Sequence, residues 1–139
     1  MKYLKIFEEF VHNEYEELEV KQSSIPNAGK GLFTLVDIDK DSKIAEFTGV
    51  EISEEDALEL EGERGHYLIA LDNGNLLDCY KSDSPAIYAN DAYMTEKFEN
   101  NSVIREIDGE VWLVSTRDIY AGEEIFCEYG DDYWDNWTP

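Results

Sequence analysis

Ala121-Gly122-Glu123-Glu124-Ile125-Phe126-Cys127-Glu128-Tyr129-Gly130-Asp131-Asp132-Tyr133-Trp134 is the stretch whose reading decides what kind of chain this is. It reads as a turn, then a strand, then an aromatic tail. Taken alone it is an acidic edge strand capped by aromatics. Three shorter segments precede it in a fixed order. Gly29-Lys30-Gly31-Leu32-Phe33 sets two glycines around one residue before a strand, which lets backbone amides and carbonyls approach a ligand with no Cβ in the way, although a bare turn reads the same. Glu46-Phe47-Thr48-Gly49 closes a strand on an aromatic residue and a glycine, elsewhere an ordinary core aromatic. Tyr88-Ala89-Asn90-Asp91-Ala92, followed after a polar insertion by Asn100-Asn101-Ser102, puts an Asn inside an apolar flank. Such an Asn must find hydrogen-bond partners or cost a few kcal/mol, so it ties loops together or holds a polar ligand.

Working outward, short runs rich in Val, Ile, Tyr and Phe alternate with turn residues at 18–22, 32–36, 44–49, 67–71, 76–79, 103–107 and 110–115. They predict strands of small sheets. Asp72-Asn73-Gly74-Asn75 and Asp108-Gly109 predict tight hairpin turns. One internal helix is expected: Ser53 caps it, Glu54, Glu55 and Asp56 sit in the first turn, Ala57, Leu58 and Leu60 supply apolar contacts, and Gly62 stops it. Tyr3, Ile6, Phe7, Phe10 and Val11 line one face of a further amphipathic helix over residues 1–17. The class is mostly β with minor α.

The 139 residues, 42% apolar and 13% aromatic, fill one domain with a single core and leave no room for a second. Thirty-three Asp and Glu against eleven Lys and Arg give a net charge of -22, so nucleic-acid backbones and anionic membranes repel the chain and basic partners remain. No run approaches the roughly twenty apolar residues of a membrane span, and charges interrupt the N-terminal apolar run too often for a signal peptide. The expectation is a soluble intracellular protein. Cys79, Cys127 and two His supply neither a thiolate set nor a metal-ligand spacing, so no metal is expected.

In this order the four segments resemble the SET domain of protein-lysine methyltransferases, over roughly Leu18 to Trp134. The last segment is similar to the terminal motif of the small stand-alone SET proteins of large algal viruses. The resemblance implies a β-clip-like fold of several short curved sheets, with a C-terminal pseudoknot in which the end of the chain threads past the segment carrying the Asn. The SET domain would span 18–139 with the helix of 1–17 packed on it, a short aromatic tail, and no zinc-binding flanking segments. The activity implied is methyl transfer from S-adenosylmethionine to a lysine. Histone tails are the expected substrate, which places the protein in the nucleus, and viral relatives suggest a homodimer.

The resemblance also assigns residues. The main chain of Gly29, Lys30 and Gly31 contacts the amino-acid end of the cofactor, the Asn90 side chain anchors that end, the Asp91 backbone receives the adenine, and Trp134 or Trp137 stacks on the adenine or closes the pocket. Tyr129 matches the catalytic tyrosine. Phe47, Tyr67, Cys127 and Tyr133 match walls of the lysine channel, and Glu128, Asp131 and Asp132 are placed to meet a basic peptide.

Three departures from the family pattern bear on activity. Phe47 stands where a Tyr is usual and removes a hydroxyl from the channel. Asp91 stands where a His usually follows the Asn, so any contact of the imidazole is lost while a backbone contact survives. Cys127 stands where a Phe or Tyr often limits how many methyls fit, so di- or trimethylation is expected. The alternatives are a methyltransferase for a non-histone protein and a catalytically inactive, acidic SET fold that binds basic proteins.

Overall fold

The structure, a computed structural model, describes residues 15–60, 67–93 and 95–129. The helix expected over 1–17 lies outside these residues but for its end, where residues 15–17 already form a turn into the first strand. That strand, β1 (Leu18–Gln22), pairs antiparallel with β2 (Lys30–Thr34), Leu18 opposite Thr34 and Gln22 opposite Lys30. Asn27 and Gly29 turn the chain between them at positive φ, 66° and 74°. The strand starts at Lys30, two residues before the expected 32, because Gln22 and Lys21 offer ladder partners to Lys30 and Gly31.

β3 (Lys43–Phe47) is followed by β4 (Val50–Ile52), an exposed three-residue strand that hydropathy does not single out. It forms because β6 (Leu76–Asp78) pairs with it on one side and with β5 (Leu68–Ala70) on the other. The β5–β6 hairpin turns at Gly74, as expected, and Asn73 and Asn75 donate to Glu51 Oε2 at 3.0 and 2.7 Å, pinning its tip to β4. Those bonds, that of Asn75 above all, hold the Glu51 carboxyl below the ordinary range. Between β4 and β5 lies α1 (Glu54–Leu58), capped by Ser53 through the Asp56 amide as expected. It is shorter than its predicted reach to Gly62, which lies outside the described residues, and it buries none of its side chains. Leu58, expected in apolar contact, is 81% exposed.

A single 3₁₀ turn, Pro85–Tyr88, leads to the Asn90 segment, with Ser84 capping it and tying it to β3 through Glu46 O. β7 (Ser102–Ile107) and β8 (Glu110–Ser115) form a hairpin through Asp108 and Gly109, and β3 adds to the far edge of β8. The chain then closes with β9 (Glu124–Ile125), on the free edge of β2, and β10 (Cys127–Glu128), parallel to β7. The described residues thus form three small sheets, ordered β1-β2-β9, β10-β7-β8-β3 and β4-β6-β5. They surround one apolar cluster that includes Leu32, Phe47, Leu113, Ile119, Ile125 and Cys127.

The architecture is the expected one of several short sheets, and its decisive feature is the crossing at Phe126. The Cys127 amide donates to Asn90 O at 2.8 Å on one side, and on the other Phe126 O accepts from the Asn101 and Ser102 amides at 3.0 Å each. Phe126 and Cys127 therefore lie between the two ends of the 91–100 loop. That loop is closed by Asn100, which accepts from the Ala92 amide and donates to Asp91, each at 2.8 Å. Asn101 is 1% exposed and completes the seat: its Nδ2 donates to Glu124 O at 3.0 Å and its Oδ1 accepts from the Phe126 amide at 2.9 Å. Asn101→Ala strands both backbone groups in the interior. We expect a loss of about 2–6 kcal/mol, from about 1–3 kcal/mol for each orphaned group, read as a lower urea midpoint with unchanged slope.

Candidate active site

Period-two alternation along Glu124-Ile125-Phe126-Cys127 sends Ile125 and Cys127 into the main cluster and leaves Glu124 and Phe126 on the opposite face of the strand. Both faces are buried: the 23–31 loop covers Glu124, and the Phe98 ring packs on Phe126, centroids 5.3 Å apart. Glu124 Oε2 accepts from Ser23 Oγ at 2.6 Å and Oε1 from the Ser24 amide at 2.8 Å. This buried carboxylate holds the 23–31 loop against the end of the chain, across about a hundred residues of sequence. It also explains Gly31. A Cβ there would lie 2.3 Å from Glu124 Oε2, so the space the missing side chain opens is filled by the protein itself. Gly29 differs: at φ 74° it has nothing within 4 Å of where a Cβ would stand. Of the two glycines, Gly29 serves the turn, its carbonyl accepting from the Ser23 amide at 2.8 Å with open space on its side-chain face, and Gly31 makes room for an internal acid.

Lys30, between them, is tied to the second expected cofactor residue. Asn90 Nδ2 donates to Lys30 O at 2.9 Å, so the glycine-rich segment and the Asn segment meet directly. One residue earlier, Ala89 O accepts the hydroxyl of Tyr129. The Tyr129 phenol, the Ala89–Asn90 peptide and the Lys30 carbonyl thus form one connected group, built from three of the four segments. The Asp91 side chain turns inward, and its Oδ2 accepts from the Tyr129 amide at 2.9 Å. Ala89, Glu124 and Ser23 were not singled out as site residues by sequence reasoning. Only the alternation at 124–127 carries a local signal for any of them.

Phe47 and Cys127 belong to the buried cluster, with Ala89, and Tyr67 and Tyr129 pack against it half-buried. Tyr67 meets Tyr80 edge-on, ring centroids 5.5 Å apart. Cys127 has no exposed surface, and burial first, then the Asp91 carboxylate, push its thiol far above the ordinary range. Burial pushes the Cys79 thiol up to about 12, with Asp78 adding to it. Both thiols are protonated at neutral pH and have the character of small apolar side chains rather than nucleophiles. Tyr133, Trp134 and Trp137, with Asp131 and Asp132, lie outside the described residues, while Glu128 is exposed beside the site.

The backbone around Gly29, with Lys30 exposed and Asn90 half-buried, fits the amino-acid end of a donor bound mainly through the main chain. Among the described residues no three His, Cys, Asp or Glu gather as a metal site, and no helix is long and apolar enough to cross a membrane. The packing of Gly31 on Glu124 yields a direct check. Gly31→Ala and Glu124→Ala should each destabilise by about 1–3 kcal/mol, the first by collision and the second by orphaning the Ser23 and Ser24 donors. The double variant should cost less than the sum by about 1 kcal/mol or more, since removing the carboxylate frees space for the new Cβ. Additive costs in urea denaturation would show that the two residues do not share that space.

A search of curated proteins returns no match. A family model described as SET domain matches residues 29–130, well over half of the chain, running from the first glycine of the glycine-rich segment to the residue after Tyr129. With the three sheets and the crossing at Phe126, that match makes the chain a member of the SET domain family, whose members are generally protein-lysine methyltransferases.

Proposed function

We propose that the chain is an S-adenosylmethionine-dependent protein-lysine N-methyltransferase acting on basic proteins, with histone tails as its substrate. The observation that carries this reading is the Tyr129 phenol seated on the carbonyl of Ala89, next to the Asn90 that holds the glycine-rich segment. The donor side and the acceptor side of a methyl transfer would then meet at one peptide unit. The terminal motif from Ala121 to Trp134 further supports kinship with the small stand-alone SET proteins of large algal viruses. The net charge of -22 suits a substrate dense in Lys and Arg, and Glu128 stands exposed beside the phenol to meet it.

A lysine side chain with a free pKa near 10.4 offers its lone pair in only about one molecule in 2,500 at pH 7, and presenting the neutral amine costs about 4.6 kcal/mol. An apolar wall lowers that cost by stripping water from the ammonium. Phe47, Tyr67 and Cys127 supply such a wall in this chain. Tyr129, with its hydroxyl committed as a donor to Ala89 O, has oxygen lone pairs left to orient an amine N–H. S-adenosylmethionine supplies a methyl group activated by its positive sulfur. Gly29, Lys30 and Asn90 would bind its amino-acid end, and the residues around Tyr129 would hold the amine nitrogen in line with the carbon–sulfur bond. Proximity of this kind accounts for most of the rate in a reaction that needs no covalent intermediate.

Incubation with labelled cofactor and whole core histones tests the reading, with transfer of label to a lysine as the expected result. Tyr129→Phe should lower turnover by about a hundredfold and leave cofactor affinity within about threefold, whereas Asn90→Ala should weaken cofactor binding by about tenfold or more, measured by calorimetry. Turnover unchanged in Tyr129→Phe would remove the phenol from the reaction. Mass spectrometry of the modified peptide should find di- or trimethyl-lysine, because Cys127 is smaller than the aromatic residue common at its place; monomethyl product alone would show that the channel stays narrow.

A further inference from the structure

We propose that Asp91 is a positioning residue for Tyr129: its carboxylate grips the Tyr129 backbone so that the phenol stays seated on the Ala89 carbonyl. The inference rests on the methyltransferase reading for its consequence in turnover, and on geometry alone for the grip itself. Asp91 is only 8% exposed, and an acid at that depth needs donors around it. It has three in hand. Oδ1 accepts from the Tyr93 amide and from Asn100 Nδ2, each at 2.8 Å, and Oδ2 accepts from the Tyr129 amide at 2.9 Å.

The last of these bonds falls where the sheet stops. The β10–β7 ladder ends at Glu128 opposite Val103, and Tyr129 is the first residue beyond it. With its amide held by Asp91 and its hydroxyl held by Ala89, Tyr129 is fixed at both ends by residues two apart in one segment. Between amide and ring lie only two side-chain torsions, so holding the two ends determines the place of the phenol oxygen. A displacement of about 1 Å at such a group costs about a hundredfold in rate. The side chain at 91 therefore acts on the reaction without touching the reacting atoms. This role differs from the backbone contact to adenine that the family resemblance assigns to the same residue.

The test uses the full chain labelled with ¹⁵N-tyrosine, in which nine tyrosines give a resolvable spectrum and Tyr129→Phe identifies the Tyr129 peak. In the unmodified chain the Tyr129 amide should exchange with solvent at least about a hundredfold more slowly than an open amide. Asp91→Asn keeps the shape but halves the acceptors. It should shift that peak, remove its protection and lower kcat by about tenfold or more, with the cofactor dissociation constant within about threefold. Asn100→Ala loosens the loop but leaves Oδ2 on Tyr129, and should keep kcat within about threefold. Free exchange of Tyr129 in the unmodified chain overturns the proposal, as does full turnover in Asp91→Asn, or a loss in Asn100→Ala as large as in Asp91→Asn. If the unmodified chain transfers no methyl group to any histone, the functional reading fails, and the exchange measurements alone then decide whether Asp91 holds Tyr129.

Discussion

The placement of Phe126 and Cys127 between Asn90 and the pair Asn101 and Ser102 governs the rest of this fold. β9 and β10 are two residues each, too short for ladder bonds alone to hold residues 124–128 in place. What holds them is the Asn101 side chain, which bridges the step from Glu124 O to the Phe126 amide as a strand backbone would, and the Ser102 hydroxyl, which adds a third donor to Phe126 O. Every feature of the candidate site follows from that seat. It sends Cys127 into the core, turns Glu124 under the glycine-rich loop, and delivers Tyr129 to the Ala89 carbonyl.

The acids of this chain divide into two populations with different physics. Most of the described acids are exposed, where solvent and salt screen them. Glu124, Asp91 and Asp78 are buried, and among the described residues Glu124 accepts from a hydroxyl and a backbone amide, Asp91 from two backbone amides and the Asn100 side chain, and Asp78 from the Tyr80 amide. Charge-assisted hydrogen bonds to backbone amides are stronger than neutral ones and do not require a second buried charge. They also fix direction, since an amide points where its strand or loop points. Glu124 and Asp91 stand at junctions between segments distant in sequence, where direction matters most.

The sequence made much of this legible, and the boundary has a physical cause. Strands, both hairpin turns and the Ser53 cap follow from local pattern, as do the four segments and their order, because each is decided within about ten residues. β4 was not legible: Val50-Glu51-Ile52 becomes a strand only because β6 offers it an edge. α1 was read too long since its apolar residues were expected to face the core, and Leu58 faces solvent instead. In the site, the nearness of Tyr129, Asn90 and the glycine-rich segment was expected from the family resemblance. The separate duties of Gly29 and Gly31 were not, because the acid that fills the space beside Gly31 comes from Glu124, and nothing local marks it. Asp91 was read for its backbone, while its side chain finds Tyr129 across 38 residues.

If the proposed function holds, a strongly acidic protein would act on a neutral amine and would face opposing demands. The field that draws a basic tail to the surface also stabilises the ammonium form, and so raises the cost of the lone pair that attacks. The arrangement around Tyr129 separates the two. Exposed carboxylates such as Glu128 lie outside the apolar cluster, where solvent and salt weaken their field over about 10 Å. The one described acid that bonds directly to Tyr129, Asp91, has its oxygens turned toward three N–H groups, whose dipoles oppose its charge in the direction of the phenol's own backbone. A side chain entering past Phe47 and Tyr67 would leave the attracting charges behind it and meet an apolar wall and a phenol oxygen, surroundings that favour the uncharged nitrogen. Under the proposed function, attraction and deprotonation would then fall in different places along one path, so that an acidic surface and a reaction that needs a neutral amine would be compatible in the same small domain.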